Sequence, residues 1–323
     1  MTSAEAWAEV WTQMQVLFWL HAGHLGPRMS PLNLLSMLAL CLGLWLVWRP
    51  AKGFLAWMFP ARIYRNPSFW LDAKLYVMNW IIGIFLTVNY VVVATASAVL
   101  VASLLGVAAP PPEARNPLLS ALIVFFAADL TLYWYHRLNH DRPVLWAVHA
   151  LHHSAEEMSP VTAFRHHPIY SILGAMVFAA FVGVAQGLAV SLLTGSVDVA
   201  TIGGTNLFAA VLNLGTANLR HSHIWLRFPT WVEHILISPA QHQAHHSVEP
   251  RHYNRNYGEV LAIWDWMFGT LYITKPDETI RFGLGAADGT PLPQRHPTFR
   301  AAMAEPVARA WRVLKGKDHG SEN

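Results

Sequence analysis

Residues 118–140, LLSALIVFFAADLTLYWYHRLNH, form an apolar run that ends in two histidines. Stretch 118–135 suits a membrane crossing, which needs about 20 mostly apolar residues. Asp129, Tyr133, His136 and His140 follow at intervals of four, three and four, so an acid, a phenol and two imidazoles share one helix face. A crossing that delivers paired histidines to its end predicts a helical membrane protein built around a metal site.

The device recurs. VHALHH (148–153) carries His149, His152 and His153, and QHQAHH (241–246) carries His242, His245 and His246. HxxxH followed by two HxxHH motifs supplies eight imidazoles, whereas one zinc takes four ligands, so two metal ions are implied. Softness alone leaves iron, copper and zinc open. The adjacent pairs, about 100° apart on a helix, can flank one metal or address two. Two divalent ions on neutral imidazoles call for nearby anions. Asp129, two turns before His136, is the first such acid, placed either to take a ring N–H and fix a ligand's tautomer or to pair with Arg137 or another neighbour.

Composition agrees with a membrane setting. The 323 residues are 54% hydrophobic and 13% charged, against about 25% charged in ordinary soluble domains. Fifteen tryptophans and nine tyrosines suit the two bilayer interfaces. The single cysteine, Cys41, excludes an internal disulfide and a cysteine-built cluster, and reads as a small core residue. A pI near 9.1 raises nucleic acid as a partner, but no basic patch interleaved with aromatics accompanies it, and none is expected to bind. Residues 4–25 lack a basic leader segment and read as an interfacial amphipathic helix rather than a cleaved signal.

Five stretches qualify as spans: 34–48, 76–105, 118–135, 169–193 and 199–219. The second is too long for one upright helix, so it tilts, breaks near Asn89 or leaves the bilayer. The fifth is weakened by Gly203, Gly204, Asn206, Asn213 and Asn218. With the N-terminus outside, the outer segments carry only Arg28 and Arg115, and 20 of 22 basic residues are cytoplasmic. Every histidine cluster then falls on the cytoplasmic face. The fold expected is all-α: four to five membrane helices under a cytoplasmic helical cap that holds a histidine-rich di-metal site. Residues 1–117 form an N-terminal membrane region, 118–275 the catalytic domain and 276–323 a cytoplasmic tail.

The motifs YHRLNH, VHALHH and QHQAHH, flanked by DLTLYW, HHSAEEMSPVTAFRHHP and NRNYGEVLAIWDWMFGT, closely resemble the fatty acid hydroxylase and sterol desaturase superfamily. The resemblance covers roughly residues 118–274. It implies two iron ions that use O2 to attack an unactivated C–H bond of a lipid, with His136, His140, His149, His152, His153, His242, His245 and His246 as ligands. His221 in NLRHSH stands where many members carry a further histidine, and is a ninth ligand on that basis. His223 stands where relatives carry another residue type, and His234 reads as a polar-face residue beside an inward Trp231 and Ile235. The resemblance makes Asp265 a structural residue or a second acid behind the ligands, and by itself it reads as a helix-end aspartate bonded to backbone. His166 and His167, before Pro168, read as capping or interface residues. His21, His24, His252, His296 and His319 lie outside the clusters and carry no assigned role.

No flavin, dinucleotide or haem motif is present, so electrons come from a separate ferredoxin- or cytochrome-type donor. The rivals are weaker. A zinc-dependent lipid hydrolase lacks HExxH and a carboxylate within the motifs. A transporter would hold its ligands near the bilayer midplane. A non-catalytic metal-stapled protein would close its coordination sphere. Hydroxylation and desaturation share these ligands, and fatty acyl, sterol or hopanoid-like, and alkylglycerol ether lipids all remain open as substrates.

Overall fold

The computed structural model describes residues 27–106, 116–194, 208 and 211–318. The long elements are α1 (Pro31–Trp48), α2 (Pro67–Leu105), α3 (Pro117–Asp141), α4 (Pro143–His153) and α5 (Pro168–Ala189). Towards the C-terminus lie α6 (Pro239–His245), α7 (Ile263–Met267) and α8 (Phe299–Leu314). Among the described residues only isolated β-bridges occur, such as Leu236 with Leu261. Four helical stretches are long and apolar enough to cross a membrane: Pro31–Trp48, Pro67–Leu86, Leu118–Asp141 and Pro168–Leu193. The expected fifth span lies largely outside the described residues, and stretch 4–25 wholly so.

Helix starts follow local chemistry. α2 and α3 each open on proline after an asparagine whose side chain accepts a free backbone N–H: Asn66 from Ser68 at 2.8 Å and Asn116 from Leu119 at 3.0 Å. α2 runs unbroken for 39 residues. At 1.5 Å per residue it is about 58 Å long, nearly twice a bilayer's hydrocarbon core. No break occurs at Asn89, whose amide returns to the Phe85 carbonyl at 3.0 Å. Instead the helix begins nine residues before position 76. Its first turns carry Asp72 to the histidine end, where buried Arg165 pairs with it at 2.7 Å. Arg165 also donates to Ser68, Ser154 and the Leu151 carbonyl, tying α2 to α4.

α2 and α5 touch through small residues. A Cβ on Gly183 would stand 2.4 Å from the Ala94 carbonyl, and one on Gly187 would stand 2.6 Å from that of Ala98. Such small-residue pairs let membrane helices approach closely. α3 packs against α5 through Val124, Ala128, Val182 and Ala189, and it carries its first two histidines to the same end as Asp72.

One expectation needs correction. α1 does not separate Arg28 from the histidines, because both of its flanks are held at their end of the bundle. Before α1, Arg28 pairs with Glu259 at 2.9 Å and its carbonyl accepts from Asn218 at 2.7 Å. After it, the Trp57 carbonyl meets His223 at 2.8 Å and Arg62 pairs with Glu157 at 3.1 Å. Hydropathy reports that a helix is apolar, and long-range pairing decides where it lies. α8 packs Ala302, Phe299 and Met303 onto Leu151 of α4 and Leu71 and Leu75 of α2, and His167 meets the Met303 carbonyl. Cys41 is fully buried, as a core residue.

Candidate metal centre

α3, α4, the turn Ala217–His221 and α6 converge on one point. Nine histidines meet there in two groups: His136, His140, His149, His153 and His245 in one, His152, His221, His242 and His246 in the other. Within each group one nitrogen per ring lies within 4.8 Å of the rest. The adjacent pairs address different groups: His152 and His153 part company, and so do His245 and His246. Ring planes of His153 and His246 stack at 4.4 Å across the divide.

Both groups fit metal ions. In the four-histidine group, successive Nε2 atoms stand 3.3, 3.1 and 3.3 Å apart from His152 through His221 and His242 to His246. Two imidazole nitrogens each about 2.1 Å from a shared ion, at right or tetrahedral angles, would stand about 3.0–3.4 Å apart. In the five-histidine group, Nε2 of His136, His140, His149, His153 and His245 is buried without a partner among the described residues. A buried polar atom left unpaired costs about 1–3 kcal/mol, so a cluster of them needs a shared acceptor of lone pairs. Burial first, and then neighbouring imidazoles, hold His149, His152, His153, His221 and His242 well below the usual histidine range. His245 and His246 are lowered for the same reasons. They are neutral near pH 7, the form that ligates.

Backbone carbonyls aim two of these rings. His136 Nδ1–H donates to Tyr257 O at 2.9 Å, and His245 Nδ1–H donates to Arg255 O at 2.7 Å. A carbonyl only accepts, so each ring carries its proton on Nδ1 and turns a bare Nε2 inward. The loop presenting these carbonyls is the NRNYG stretch. Asn254 and Asn256 take left-handed φ values of 58° and 57°, a region asparagine tolerates. Buried Asn256 donates to the Gln241 and Tyr272 carbonyls and accepts from Tyr272 N–H.

The two acids act behind this loop. Asp265 accepts from Tyr257 and Gly258 N–H, each at 2.8 Å, and from the Thr270 hydroxyl at 2.6 Å. Burial pushes its carboxyl up to about 6 against these bonds. Asp129 does not take a histidine N–H as expected. Its oxygens accept from Val260 and Leu261 N–H and from the Trp264 indole. The helical face it shares with His136 is right, but the next segment, 260–264, covers it first.

Other sequence-derived positions fall outside the groups. His223 bonds the Trp57 carbonyl, and His234 bonds the Thr230 carbonyl at the surface. Trp231 and Ile235, expected inward, are exposed, and Glu233 is the buried residue of that turn. His252 and His296 pair with Glu278 and Glu305. His21, His24 and His319 lie outside the described residues.

A cavity of about 390 Å³ opens on the groups, bounded by His136, His149, His152 and His221. Its far wall is apolar, with Leu132, Gly174, Ala175 and Phe178, and its near wall holds Arg28, Glu259, His166 and Tyr170. Tyr170 stacks on both His149 and His166, at 5.0 and 4.5 Å. Burial outweighs the nearby Glu259 and drives His166 down to about 3, so it faces the cavity as a neutral ring. Although burial opposes it, Arg28 and Arg220 hold the Glu259 carboxyl below the usual range. Sequence reasoning missed Glu259, Tyr170 and the two carbonyls. Glu259 directly follows the quoted NRNYG, which was the available signal.

Fold and site together define a class: a membrane helix bundle with two histidine groups able to hold metals at one end. Residues 121–270 match the family model described as Fatty acid hydroxylase. Residues 121–270 thus form a domain of the fatty acid hydroxylase/sterol desaturase superfamily. It is similar to an alkylglycerol monooxygenase of Danio rerio, 29% identical over 179 residues, covering 52% of this chain and 33% of the relative. An ornithine lipid hydroxylase of Rhizobium tropici is 30% identical over 189 residues, covering 57% and 49%. A very-long-chain aldehyde decarbonylase of Oryza sativa subsp. indica is 26% identical over 197 residues, covering 59% and 28%. The chain thus spans between about a third and a half of the first relatives' lengths. No solved structure matches.

Proposed function

We propose that this chain is a di-iron lipid hydroxylase. The observation that carries the reading is the division of nine histidines, eight of them buried, into groups of five and four beside a cavity with an apolar wall. His136, His140, His149, His153 and His245 would hold one iron, and His152, His221, His242 and His246 the other. Bound there, iron would supply O2 reduction and C–H cleavage, chemistry that no side chain performs. Superfamily membership and relatives named monooxygenase and hydroxylase favour iron over zinc and hydroxylation over desaturation. The reaction balances as one lipid C–H, O2, two electrons and two protons giving an alcohol and water.

The chain's own residues orient and shield. Tyr257 and Arg255 carbonyls fix two ring tautomers, and Asp265 and Asp129 brace the segment that presents and follows them. Leu132, Ala175 and Phe178 receive the lipid's apolar part and exclude water. Arg28 and Glu259 offer a cation and an anion beside the histidines, which suits a polar head close to the oxidised carbon. Basic residues concentrated at the histidine end support placing it on the cytoplasmic face, where a ferredoxin- or cytochrome-type donor would deliver the electrons. Residues 118–275 would form the catalytic unit.

The test supplies purified, iron-loaded protein in bilayer discs with a chemical reductant, 18O2 and either alkylglycerol, ornithine lipid or a total lipid extract. Mass spectrometry is expected to find one 18O atom in a lipid product. Absence of label in every lipid, despite bound iron and consumed reductant, contradicts the reading. Ala175→Phe, which narrows the cavity wall, is expected to lower product formation about 100-fold through misplacement while iron content stays unchanged. Unchanged product formation would remove this cavity as the substrate site.

A further inference from the structure

α8 has two apolar faces, although only one is packed. Ala302, Pro306 and Arg309 are buried. On the other side Ala304, Val307, Trp311 and Leu314 recur at steps of three and four and are exposed, Trp311 at 59% and Leu314 at 67%. A helix bathed in water on that side would carry polar residues there. Exposed cations flank the stripe: Arg300, Arg312, Lys315 and Lys317. The Lys315 ammonium sits over the Trp311 ring at 4.7 Å.

The stripe adjoins an exposed apolar stretch of a candidate span. The first residues of α8, Phe299 and Arg300, form a groove with α2, lined by Trp70, Val77 and Ile81, with Lys74 beside them. That part of α2 belongs to the candidate span Pro67–Leu86, and Val77, Ile81 and Phe85 are exposed along it. An apolar stripe bearing tryptophan, edged by lysine and arginine and joined to a lipid-facing helix, has the composition of an element lying in the bilayer interface.

We propose that α8 is an interfacial membrane anchor. Val307, Trp311 and Leu314 enter the boundary between headgroups and acyl chains, and Lys74 and Arg300 meet lipid phosphates above the groove. The segment taken from its sequence as a cytoplasmic tail then seats the histidine-bearing cap on the membrane, since its other face holds α4. This rests on α2 crossing the bilayer and is independent of which reaction the site performs.

The experiment uses the full chain in discs of phosphatidylcholine and phosphatidylglycerol. A Cys41→Ala background removes the sole cysteine. An environment-sensitive fluorophore is placed through Val307→Cys or Trp311→Cys, with Phe85→Cys as lipid control and Asp288→Cys as aqueous control. Labels at 307 and 311 are expected to lose at least half their emission to lipids spin-labelled near the headgroup and to resist iodide, while 288 does the reverse. Iodide quenching at 307 and 311 equal to that at 288 overturns the proposal. So does protection from both quenchers with energy transfer between chains, which assigns the stripe to a second copy. Wild-type protein with a photoactivatable phosphatidylcholine gives a second readout: lipid adducts are expected within 301–312, and their absence beside labelled α2 peptides also overturns it.

Discussion

His242→Ala protein is expected to carry about one iron per chain in place of about two and to form no detectable product. Its group has four histidines, and removing one leaves three on a site with no spare ligand. His140→Ala removes one of five, and the four remaining can still fill a tetrahedral sphere. It is therefore expected to keep more of its iron than His242→Ala under the same purification. Even partners that only orient a ligand cost about 10–100-fold in metal affinity when lost, and a ligand itself costs at least that. Metal analysis on both variants, with circular dichroism to confirm folding, measures the difference. Equal iron in the two would contradict the division into five and four.

Gly258→Ala should damage both the fold and the metal centre with a single methyl group. Its Cβ would stand 2.5 Å from the Leu261 carbonyl and 2.9 Å from Asp265 Oδ2. The first is backbone, and the second is a carboxylate pinned by three donors, so neither can yield cheaply. Overpacking of this kind costs about 1–3 kcal/mol. The strain falls on the loop whose carbonyls aim His136 and His245, so metal affinity is expected to drop about 10–100-fold as well. Gly43→Ala, inside α1 with nothing within 4 Å of the added methyl, is the control and should leave stability unchanged or raise it by up to about 1 kcal/mol. Thermal unfolding and iron titration read the two effects separately. Wild-type iron affinity in Gly258→Ala would show that the loop does not orient the ligands.

The histidine motifs were legible because ligand spacing is a local property. HxxxH and HxxHH place rings on one helical face, and chain order with hydropathy brings those faces to one end. What lay beyond local pattern was hidden. The choice of carbonyls at Arg255 and Tyr257 leaves no trace in residue identity, since every residue has a carbonyl. Asp129 was placed on the correct face, but its partners come from a segment more than 130 residues away. The position of α1 depends on Arg28 finding Glu259, 231 residues on. Hydropathy could not separate a helix that crosses from one tethered at both flanks. The buried side of α8 depends on Leu71, Leu75 and Leu151, far back in the chain, so its local sequence does not show it.

The central claim is that the two histidine groups hold two irons. The most direct measurement is metal analysis with Mössbauer spectroscopy on the full wild-type chain expressed with isotopically enriched iron. The expected result is about two irons per chain, in two distinguishable nitrogen-rich environments that reflect unequal ligand sets. One iron per chain, or zinc in its place with no consumption of O2 on addition of reductant and lipid, would contradict it.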